Sequence, residues 1–545
     1  MANNNAPGHK FMLSLAICIL AMGCSREKAT LFPGPDTLNS VDRLYLSYRP
    51  PLAPQSYVID IQGEPFEREI LAASLQGIVN RRSASVYLVG DNSDNSNAGA
   101  SELFWLNLYQ RGDGVKVAWE GDLDDAVHRF SEDVNGYVLV SSSEPWTINA
   151  GTTLAALYGY LVAFTDERPL LESAGIPLKE SLIGRWQDSS QCYLDLWKTY
   201  YSRMPGRGLG ILSPDEYRLR DFLIQQGLLT VYGRPTTDDW DTIKYILDNT
   251  PQNIPVFGYL SQTGEEELAA VMELSGTGKY LIPSDTTPNL SFHVAVVPRP
   301  YTGSNGQAYG TGGPAPCKAG GVSVAIAISD GDNLVMALNR YTWQNYWNSS
   351  LRGQFPMGWS LSLSLESVAP AVAAYYLTTA TANDELIGML GIGYVHPSFY
   401  PGKDFFFSNS FRAMNAMNMR DYWTLDPVLY SPDASTWTDL YRYRVNGYPY
   451  GVLSGYMAVG GQGYFRTPDG VPVLVPVNGY FDTPTVLASR ILSVVNGPPS
   501  GIPPVVFLSA SSWSNSLEDM VNVLKPLESQ GVTFLLPYQA FHCVP

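Results

Sequence analysis

The chain has 545 residues, of which 45% are hydrophobic and only 16% carry a charge. A single hydrophobic core does not grow to this size, so the length predicts three or four domains. The net charge of −17 and the pI near 4.7 argue against electrostatic binding to nucleic acid or to anionic lipid headgroups. Aromatic residues make up 12% of the chain, which suits stacking on sugar rings, although the filling of cores and domain seams is the simpler explanation.

The first 24 residues have the pattern of an export signal. Lys10 precedes an apolar stretch at 11–22, and a Gly-Cys pair ends at Cys24. An apolar core this short does not span a membrane, and a small residue before cysteine is typical of lipoprotein processing. We therefore expect residues 1–23 to be a signal peptide and Cys24 to be lipidated, which anchors an exported protein in a bacterial cell envelope. Because Ala21 stands where leucine is more usual, plain secretion and an uncleaved anchor are the alternatives.

Cysteine is otherwise scarce. Beyond the signal and Cys24, the chain contains Cys192, Cys317 and Cys543, and no C-x-x-C pair. At most one disulfide can form within the chain, so the protein is not a disulfide-stapled scaffold.

Hydrophobic periodicity divides the rest of the chain into α/β segments. Residues 24–48 lack periodicity and predict a tether. Strand and helix candidates alternate in an amino-terminal α/β region, residues 49–205, and in a second α/β domain, residues 206–300. A glycine- and proline-rich linker at 301–320 precedes the carboxy-terminal domain, residues 321–545.

The predicted elements follow this division. In the amino-terminal segments, strands are predicted at 58–61, 85–89, 136–140, 209–212, 228–231, 255–259 and 280–282, and helices at 66–79, 152–164, 214–226, 240–247 and 265–274. In the carboxy-terminal domain, strands are predicted at 322–328, 358–363, 386–390, 451–453, 505–508 and 532–535, helices at 368–378, 411–421, 484–494 and 517–529, and a hairpin turn at 467–470. The predicted fold class is therefore multidomain α/β, with two amino-terminal α/β units followed by a (β/α) barrel-like domain that can have fewer than eight repeats.

Two predicted strands of the carboxy-terminal domain end in polar segments that contain glycine. The strand at 322–328 leads into Ser-Asp-Gly-Asp-Asn at 329–333, and the strand at 386–390 leads into Gly-Ile-Gly-Tyr-Val-His-Pro at 391–397. Ligands and catalytic groups gather at the carboxyl ends of strands in α/β sheets and barrels. The two segments therefore predict one shared site.

The acids at these strand ends fit glycosidic hydrolysis. That reaction needs one carboxyl group as proton donor and another as nucleophile or base. Asp330 and Asp332 are two residues apart and share a face in extended geometry. Glu366 ends a third strand-like run, so we expect one of the two aspartates to pair with Glu366 and Asn333 to line the pocket. The sequence leaves open which acid carries the proton and whether the reaction retains or inverts configuration.

Structural and metal-binding alternatives apply to the same residues. Asp-Gly-Asp-Asn also forms tight turns, and Asn333 can cap a helix that begins at Leu334. A calcium loop would need a further acidic ligand and a turn glycine. A metal-dependent deacetylase would need two histidines at helical spacing, and the four histidines after the signal form no H-x-x-x-H. We expect no metal, and, because no P-loop, dinucleotide fingerprint or G-x-S-x-G is present, no cofactor.

Tyrosine, histidine and tryptophan are further pocket candidates. After a tight turn at the glycines of 391–393, Tyr394 and His396 can contact sugar hydroxyls or tune an acid, with a purely structural turn as the alternative. Imidazole titrates near neutrality, which predicts pH dependence for His396. Trp359 and Trp513 lie near predicted strand ends and can form a stacking platform, although core burial is the safer interpretation of either.

The segment 391–397 resembles the signature of the family named for its G-x-G-Y-x-Y-P motif, with His396 in place of the second tyrosine. The resemblance includes 329–333 and Leu-Gln-Gly-Ile-Val-Asn-Arg at 75–81, and it extends from residue 45 to the end of the chain. Members of that family are described as glycoside hydrolases from their sugar-processing context. The resemblance therefore implies a glycan substrate.

Two hypotheses of different classes follow. The first is a carbohydrate-active enzyme of glycoside-hydrolase type that uses paired carboxylates at barrel strand ends. The second is a non-catalytic glycan-binding surface lipoprotein. In both, the expected partners are a glycan and, through Cys24, a membrane, with no nucleic acid.

Overall fold

The computed structural model describes residues 38–90, 98–260, 264–298, 317, 321–431, 434–444, 447–458, 463–496 and 505–545. The predicted signal peptide, Cys24, part of the predicted tether and all of the predicted linker except Cys317 lie outside these ranges. Among the described residues, no helix has both the length and the apolar character needed to cross a membrane.

The region predicted as one amino-terminal α/β segment contains two separate three-stranded parallel sheets. The first sheet has the strand order β2-β1-β3 and the second has the order β5-β4-β6. The elements of the first are α1 (Asp42–Tyr45), β1 (Leu52–Asp60), α2 (Phe66–Arg82), β2 (Ala84–Val89), α3 (Ala98–Gly112), β3 (Val117–Gly121) and α4 (Leu123–Arg129). The elements of the second are β4 (Gly136–Leu139), α5 (Trp146–Tyr158), β5 (Tyr160–Ala163), α6 (Arg168–Ser173), β6 (Leu178–Ser181) and α7 (Ser189–Tyr200).

The predicted helix at 152–164 is wrong in its second half. Helix α5 ends at Tyr158 because Gly159 adopts a left-handed conformation, with φ of 70°, and its N–H donates to the Ala155 carbonyl. The apolar residues that follow form strand β5, which is buried at three of its four positions. An apolar run of this length fits either a helix or a strand, and the glycine decides between them.

The third amino-terminal unit is a four-stranded parallel sheet in the order β10-β9-β7-β8. Its elements are β7 (Leu209–Ile211), α8 (Arg220–Gln226), β8 (Leu229–Val231), α9 (Trp240–Asp248), β9 (Ile254–Gly258), α10 (Gly264–Gly276), β10 (Lys279–Pro283) and α11 (Leu290–His293). In all three units the second strand lies on one side of the first strand and the third strand lies on the other side. The amino-terminal half therefore repeats one doubly wound topology three times.

The carboxy-terminal domain is built on seven parallel strands in the order β17-β15-β14-β13-β12-β11-β18. Strand β19 pairs with the first half of β11, and β16 forms an antiparallel hairpin with β17 around the predicted turn at 467–470. The strands of the carboxy-terminal domain are β11 (Val322–Ile328), β12 (Met357–Ser362), β13 (Asp384–Met389), β14 (Tyr422–Thr424), β15 (Val452–Ser454), β16 (Tyr464–Arg466), β17 (Pro472–Leu474), β18 (Val505–Ala510) and β19 (Val532–Leu535). Its helices are α12 (Leu334–Leu338), α13 (Leu365–Val368), α14 (Pro370–Thr379), α15 (Lys403–Ala416), α16 (Thr436–Arg442), α17 (Pro484–Val495), α18 (Leu517–Leu524) and α19 (Pro537–Phe541).

This sheet curls until its two ends meet. Pro476, just after β17, bridges in parallel to Phe507 of β18, and the Val477 N–H donates to the Phe507 carbonyl at 3.1 Å. The side chain of Asn478 then pairs with the backbone of Ser509 through two hydrogen bonds, of 2.8 and 3.0 Å. The predicted barrel-like architecture is confirmed.

Small residues on β11 make room for large ones inside the barrel. Ala325 and Ala327 belong to the same buried cluster as Trp423 and Phe507, whereas Val324 and Ile326, on the opposite face, belong to the cluster that includes the surrounding helices. Alternation along a strand places these residues on opposite faces. A disulfide between Cys317 and Cys543 joins the chain before β11 to the end of the domain, and Cys192 is a buried free thiol.

Candidate functional site

The site is built at the face of the barrel where the parallel strands end, here called the mouth. Directly after β11, Asp330 adopts a left-handed conformation, with φ of 66°, which is uncommon for a residue other than glycine. Gly331 packs so closely on β12 that a Cβ atom would overlap the carbonyl of Ser360. This backbone places both Asp330 and Asp332 at the strand end, and backbone strain of this kind is typical of functional sites.

Asp330 is held by hydroxyl donors from three strand ends. It accepts hydrogen bonds from Ser329 Oγ at 2.6 Å, from Tyr480 Oη at 2.5 Å and from Ser512 Oγ at 3.2 Å. Burial raises the pKa of Asp330, and these hydroxyl donors act in the opposite direction because they stabilise the ionised form. Tyr456 lies parallel to Tyr480, with ring centroids 4.8 Å apart, and its hydroxyl also accepts the Asp330 N–H.

Asp332 has a different environment. Its side chain is buried, and the hydrogen bond that it accepts from Tyr456 Oη is long, at 3.5 Å. Burial raises the pKa of Asp332 well above its usual value, and the nearby charges of Asp330 and Glu267 raise it further. Burial raises the pKa of both carboxyl groups, but three hydroxyl donors oppose the rise at Asp330, and neighbouring acids with unequal pKa values are the arrangement that acid and base catalysis requires.

The third carboxyl group at the mouth comes from another domain. Glu267 lies on α10 of the third amino-terminal unit, and burial raises the pKa of its carboxyl group. The neighbouring hydroxyls of Tyr259 and Tyr394 oppose this rise, and the charge of Asp330 adds to it. Sequence reasoning missed Glu267 because it belongs to an acidic run in the first turn of a helix, which ordinarily only complements the helix dipole.

The glycine motif joins this third unit to the barrel. Leu281 of β10 forms an antiparallel bridge with Tyr394, with N–H···O distances of 2.7 and 3.1 Å. At Gly393 a Cβ atom would lie 2.8 Å from the Leu281 carbonyl oxygen. Gly391 has φ of 67°, and a Cβ atom there would overlap the side chain of Ser410. Gly393 therefore permits a close backbone contact between the domains, here called the seam, whereas Gly391 permits close packing on α15 within the carboxy-terminal domain.

Tyr394 and His396 have different surroundings. Tyr394 is buried beside the site, and burial together with the charges of Glu267 and Asp332 raises its pKa. His396 is buried in the seam, where its backbone N–H donates to Ser275 Oγ at 3.0 Å. Its ring centroid lies 5.7 Å from that of Tyr394. Burial lowers the pKa of His396, so the expected titration near neutrality is not supported.

The structure does not bring Glu366 to the two aspartates. Strand β12 ends at Ser362, and the chain turns into α13, which packs against α1. Besides burial, the charges that shift the pKa of Glu366 are those of Asp42 and Arg49. The charges that shift the pKa of Asp332 are those of Asp330 and Glu267. The predicted pairing with Glu366 is therefore corrected, because a helix after β12 carries this side chain away from the mouth.

Two other predicted pocket residues make structural contacts. Trp359 is fully buried on β12, where its Nε1 donates to Asp384 Oδ1 at 3.1 Å and its ring packs on Trp347 at 5.1 Å. Asn333 caps α12, since its side chain accepts the Val335 N–H at 3.2 Å. The structural alternative applies to Trp359, whereas the place of Asn333 in the pocket stays a prediction beside its capping role. Within the described ranges, no three His, Cys, Asp or Glu side chains are grouped as metal ligands.

Fold and site together define a multidomain α/β protein in which a carboxylate-bearing barrel mouth is completed by an amino-terminal doubly wound unit. Four family models match consecutive parts of the chain: "GxGYxYP_N 1st domain" at 55–132, "GxGYxYP_N second domain" at 134–203, "GxGYxYP third domain" at 209–295 and "GxGYxYP putative glycoside hydrolase C-terminal domain" at 321–544. The chain belongs to the GxGYxYP family.

A solved structure shares the whole architecture. The chain is similar to a crystal structure described as a putative hydrolase from Bacteroides thetaiotaomicron VPI-5482, with a TM-score of 0.75 and 19% sequence identity. The match covers 91% of this chain and 95% of that one. At this identity the likeness shows the fold. No curated protein matches the sequence.

Proposed function

We propose that the protein is an enzyme of glycoside-hydrolase type in which Asp330 and Asp332 act on a glycan bound at the barrel mouth. The observation that carries the proposal is the contrast between the two carboxyl groups. Asp330 accepts three hydroxyl hydrogen bonds, whereas Asp332 is buried beside other acids. Such a contrast divides the roles of base and acid between two residues of the same type.

In the reaction, Asp332 is the proton donor. Its proton passes to the glycosidic oxygen while the bond from that oxygen to the anomeric carbon breaks. Asp330, as the carboxylate, either attacks the anomeric carbon or takes a proton from the attacking water. The net change is addition of one water molecule across the bond, after which Asp332 regains its proton. Burial and the charge of Asp330 raise the pKa of Asp332, and the charge of Glu267 adds to this rise.

The experiment is a hydrolysis screen of the mature chain on a broad polysaccharide panel, with release of reducing ends as the readout. Asp332→Asn and Asp330→Asn should each lower the rate by about 10²–10⁴-fold, because each removes a proton-transfer or nucleophilic group. Glu366→Gln is the matched control, since it changes an acid that lies away from the mouth, and it should retain activity. Equal activity of all three variants would refute the assignment. Glycan binding without cleavage by the wild type would favour the alternative, a non-catalytic glycan-binding lipoprotein.

We further propose that the enzyme acts outside the cytoplasm as a lipoprotein anchored through Cys24. The amino-terminal sequence pattern supports this location, and so does the disulfide between Cys317 and Cys543, because disulfides persist in oxidising compartments. In a bacterial host, Cys24→Ser should move the protein from the membrane fraction to the soluble fraction. Unchanged fractionation would contradict the anchor.

A further inference from the structure

Two large aromatic side chains are exposed beside the residues that hold Asp330. Phe481 follows Tyr480 and is 66% exposed. Trp513 follows Ser512 and is 48% exposed. Their loops leave the neighbouring strands β17 and β18, and both loops contact Asp330, through Tyr480 and Ser512, so the two loops together form one wall of the mouth. Side chains of this size are mostly buried in soluble proteins, so two exposed rings at one site indicate a binding role.

The loops that carry these rings are fixed to each other and to the barrel. Asn515 Nδ2 donates to the Asp482 carbonyl at 3.2 Å, which ties the loop after β18 to the loop after β17. The Asp482 carboxylate accepts the Gly479 N–H at 2.8 Å and Arg490 Nε at 2.5 Å. A ligand that uses such a wall loses little binding free energy to the ordering of loops.

Each ring is also supported by a neighbouring side chain. The guanidinium of Arg340 lies 5.3 Å from the Trp513 ring centroid, and Arg340 Nη2 donates to the Trp513 carbonyl at 2.9 Å. The Phe481 ring lies 4.5 Å from that of Tyr480, which stacks on Tyr456. Each aromatic side chain therefore has a supported position and a large surface left open to solvent.

The chemistry of the wall indicates a neutral sugar polymer. A pyranose ring offers an apolar face of C–H groups that packs on an aromatic ring, while its hydroxyls stay at the edge. The carboxyl groups of Asp330, Asp332 and Glu267 at the mouth disfavour a glycan with carboxylate or sulfate groups there. A neutral oligosaccharide meets both conditions.

We propose that Phe481 and Trp513 form subsites for the pyranose rings next to the sugar bound at Asp330, and that the substrate class is a neutral polysaccharide or long oligosaccharide. The inference rests on the proposed function for the place of cleavage. It adds the direction in which the polymer extends, along the β17–β18 side of the mouth, and it predicts that affinity increases with chain length.

The test compares the full mature chain with Trp513→Ala and Phe481→Ala. Soluble neutral fragments of β-glucan, xylan, mannan and galactan, graded by length, are titrated by calorimetry, and hydrolysis of the same fragments is measured. Each variant should lose about tenfold in affinity for the longer fragments, the effect of one lost aromatic contact.

The matched control is Tyr441→Ala. Tyr441 is 44% exposed and also has a guanidinium near its ring, that of Arg444 at 5.8 Å, but it lies on α16. The Tyr441→Ala variant should bind every fragment with the same affinity as the wild type.

The outcomes separate the two proposals. Hydrolysis with the same length dependence in the wild type and both variants would overturn the subsites and leave the proposed function standing. Binding without hydrolysis, weakened in both variants, would overturn the proposed function and support the subsites. A wild type that binds none of the neutral fragments, or that prefers acidic ones, would overturn the inference.

Discussion

Substitution of Gly393 by alanine should separate the third amino-terminal unit from the barrel. The added Cβ atom would lie 2.8 Å from the Leu281 carbonyl oxygen, 2.9 Å from Tyr280 Cδ2 and 3.0 Å from Ile282 Cδ1. The nearest of these atoms is backbone, so β10 must move away from the motif. The movement breaks the two hydrogen bonds between Leu281 and Tyr394, at 2.7 and 3.1 Å.

The magnitude follows from these contacts. Each lost hydrogen bond costs about 0.5–1.5 kcal/mol and the overpacking costs about 1–3 kcal/mol, so the docked seam should lose about 2–6 kcal/mol. The assay is hydrogen–deuterium exchange of the peptides that contain Leu281 and Tyr394, because both amides are protected by the seam. Their opening free energies should fall by this amount. Glycan hydrolysis should fall as well, because Glu267 moves with the third unit.

Gly276→Ala provides the control for this experiment. Gly276 ends α10 in the same unit, and a Cβ atom there meets nothing within 4 Å. The control should change stability by no more than about 0.5 kcal/mol. Equal exchange protection in Gly393→Ala and Gly276→Ala would show that the seam does not require glycine at position 393.

Three further predictions concern charge and covalent structure. Glu267→Gln should shift the alkaline limb of the pH–rate profile to lower pH, because one of the two charges that add to burial in raising the pKa of Asp332 is removed; an unshifted limb would contradict this role. Glu385 and Asp421 are buried together, which raises the pKa of both carboxyl groups in the folded protein. Both groups therefore favour folding while they are protonated. Stability should fall as the pH rises from their ordinary pKa values through their raised pKa values in the folded state. In urea titrations across this range, Asp421→Asn should show a smaller fall than the wild type, and parallel curves would count against the pair. Cys543→Ser opens a disulfide between residues 226 positions apart and should cost about 2–5 kcal/mol of unfolding free energy, and a reductant should reproduce the loss in the wild type but not in the variant.

The buried strands of the barrel could be predicted closely from the sequence. Strands β11 and β19 have the predicted boundaries, because short apolar runs buried on both faces, bounded by polar or glycine residues, leave few alternatives. Strand β14 was not predicted, since three residues, Tyr422–Thr424, directly follow a segment that reads as a helix to residue 421. Its place in the sheet depends on pairing with β13 and β15, which the local pattern does not contain.

The same distinction between local and distant information holds at the site. Asp330 and Asp332 could be placed at the mouth because a buried strand ends directly before them. Glu267 could not, because it arrives from another domain through the seam, and nothing in its own helix indicates that contact. Glu366 was misplaced because strand length and acidity do not show which way a chain turns after the strand ends. It turns into α13, whose neighbour is α1.

The seam also explains why histidine is compatible with position 396, where the family motif has tyrosine. The position contributes its backbone N–H to Ser275 Oγ at 3.0 Å, which any residue except proline can supply. Its ring packs between Tyr394 and Phe399, at 5.7 and 6.5 Å, where a flat aromatic ring of either kind fits. Because burial keeps the imidazole neutral, His396 introduces no charge into the seam. The motif therefore acts first as the contact that brings Glu267 and Tyr259 to the two aspartates, and only Tyr394 within it faces the carboxyl groups directly.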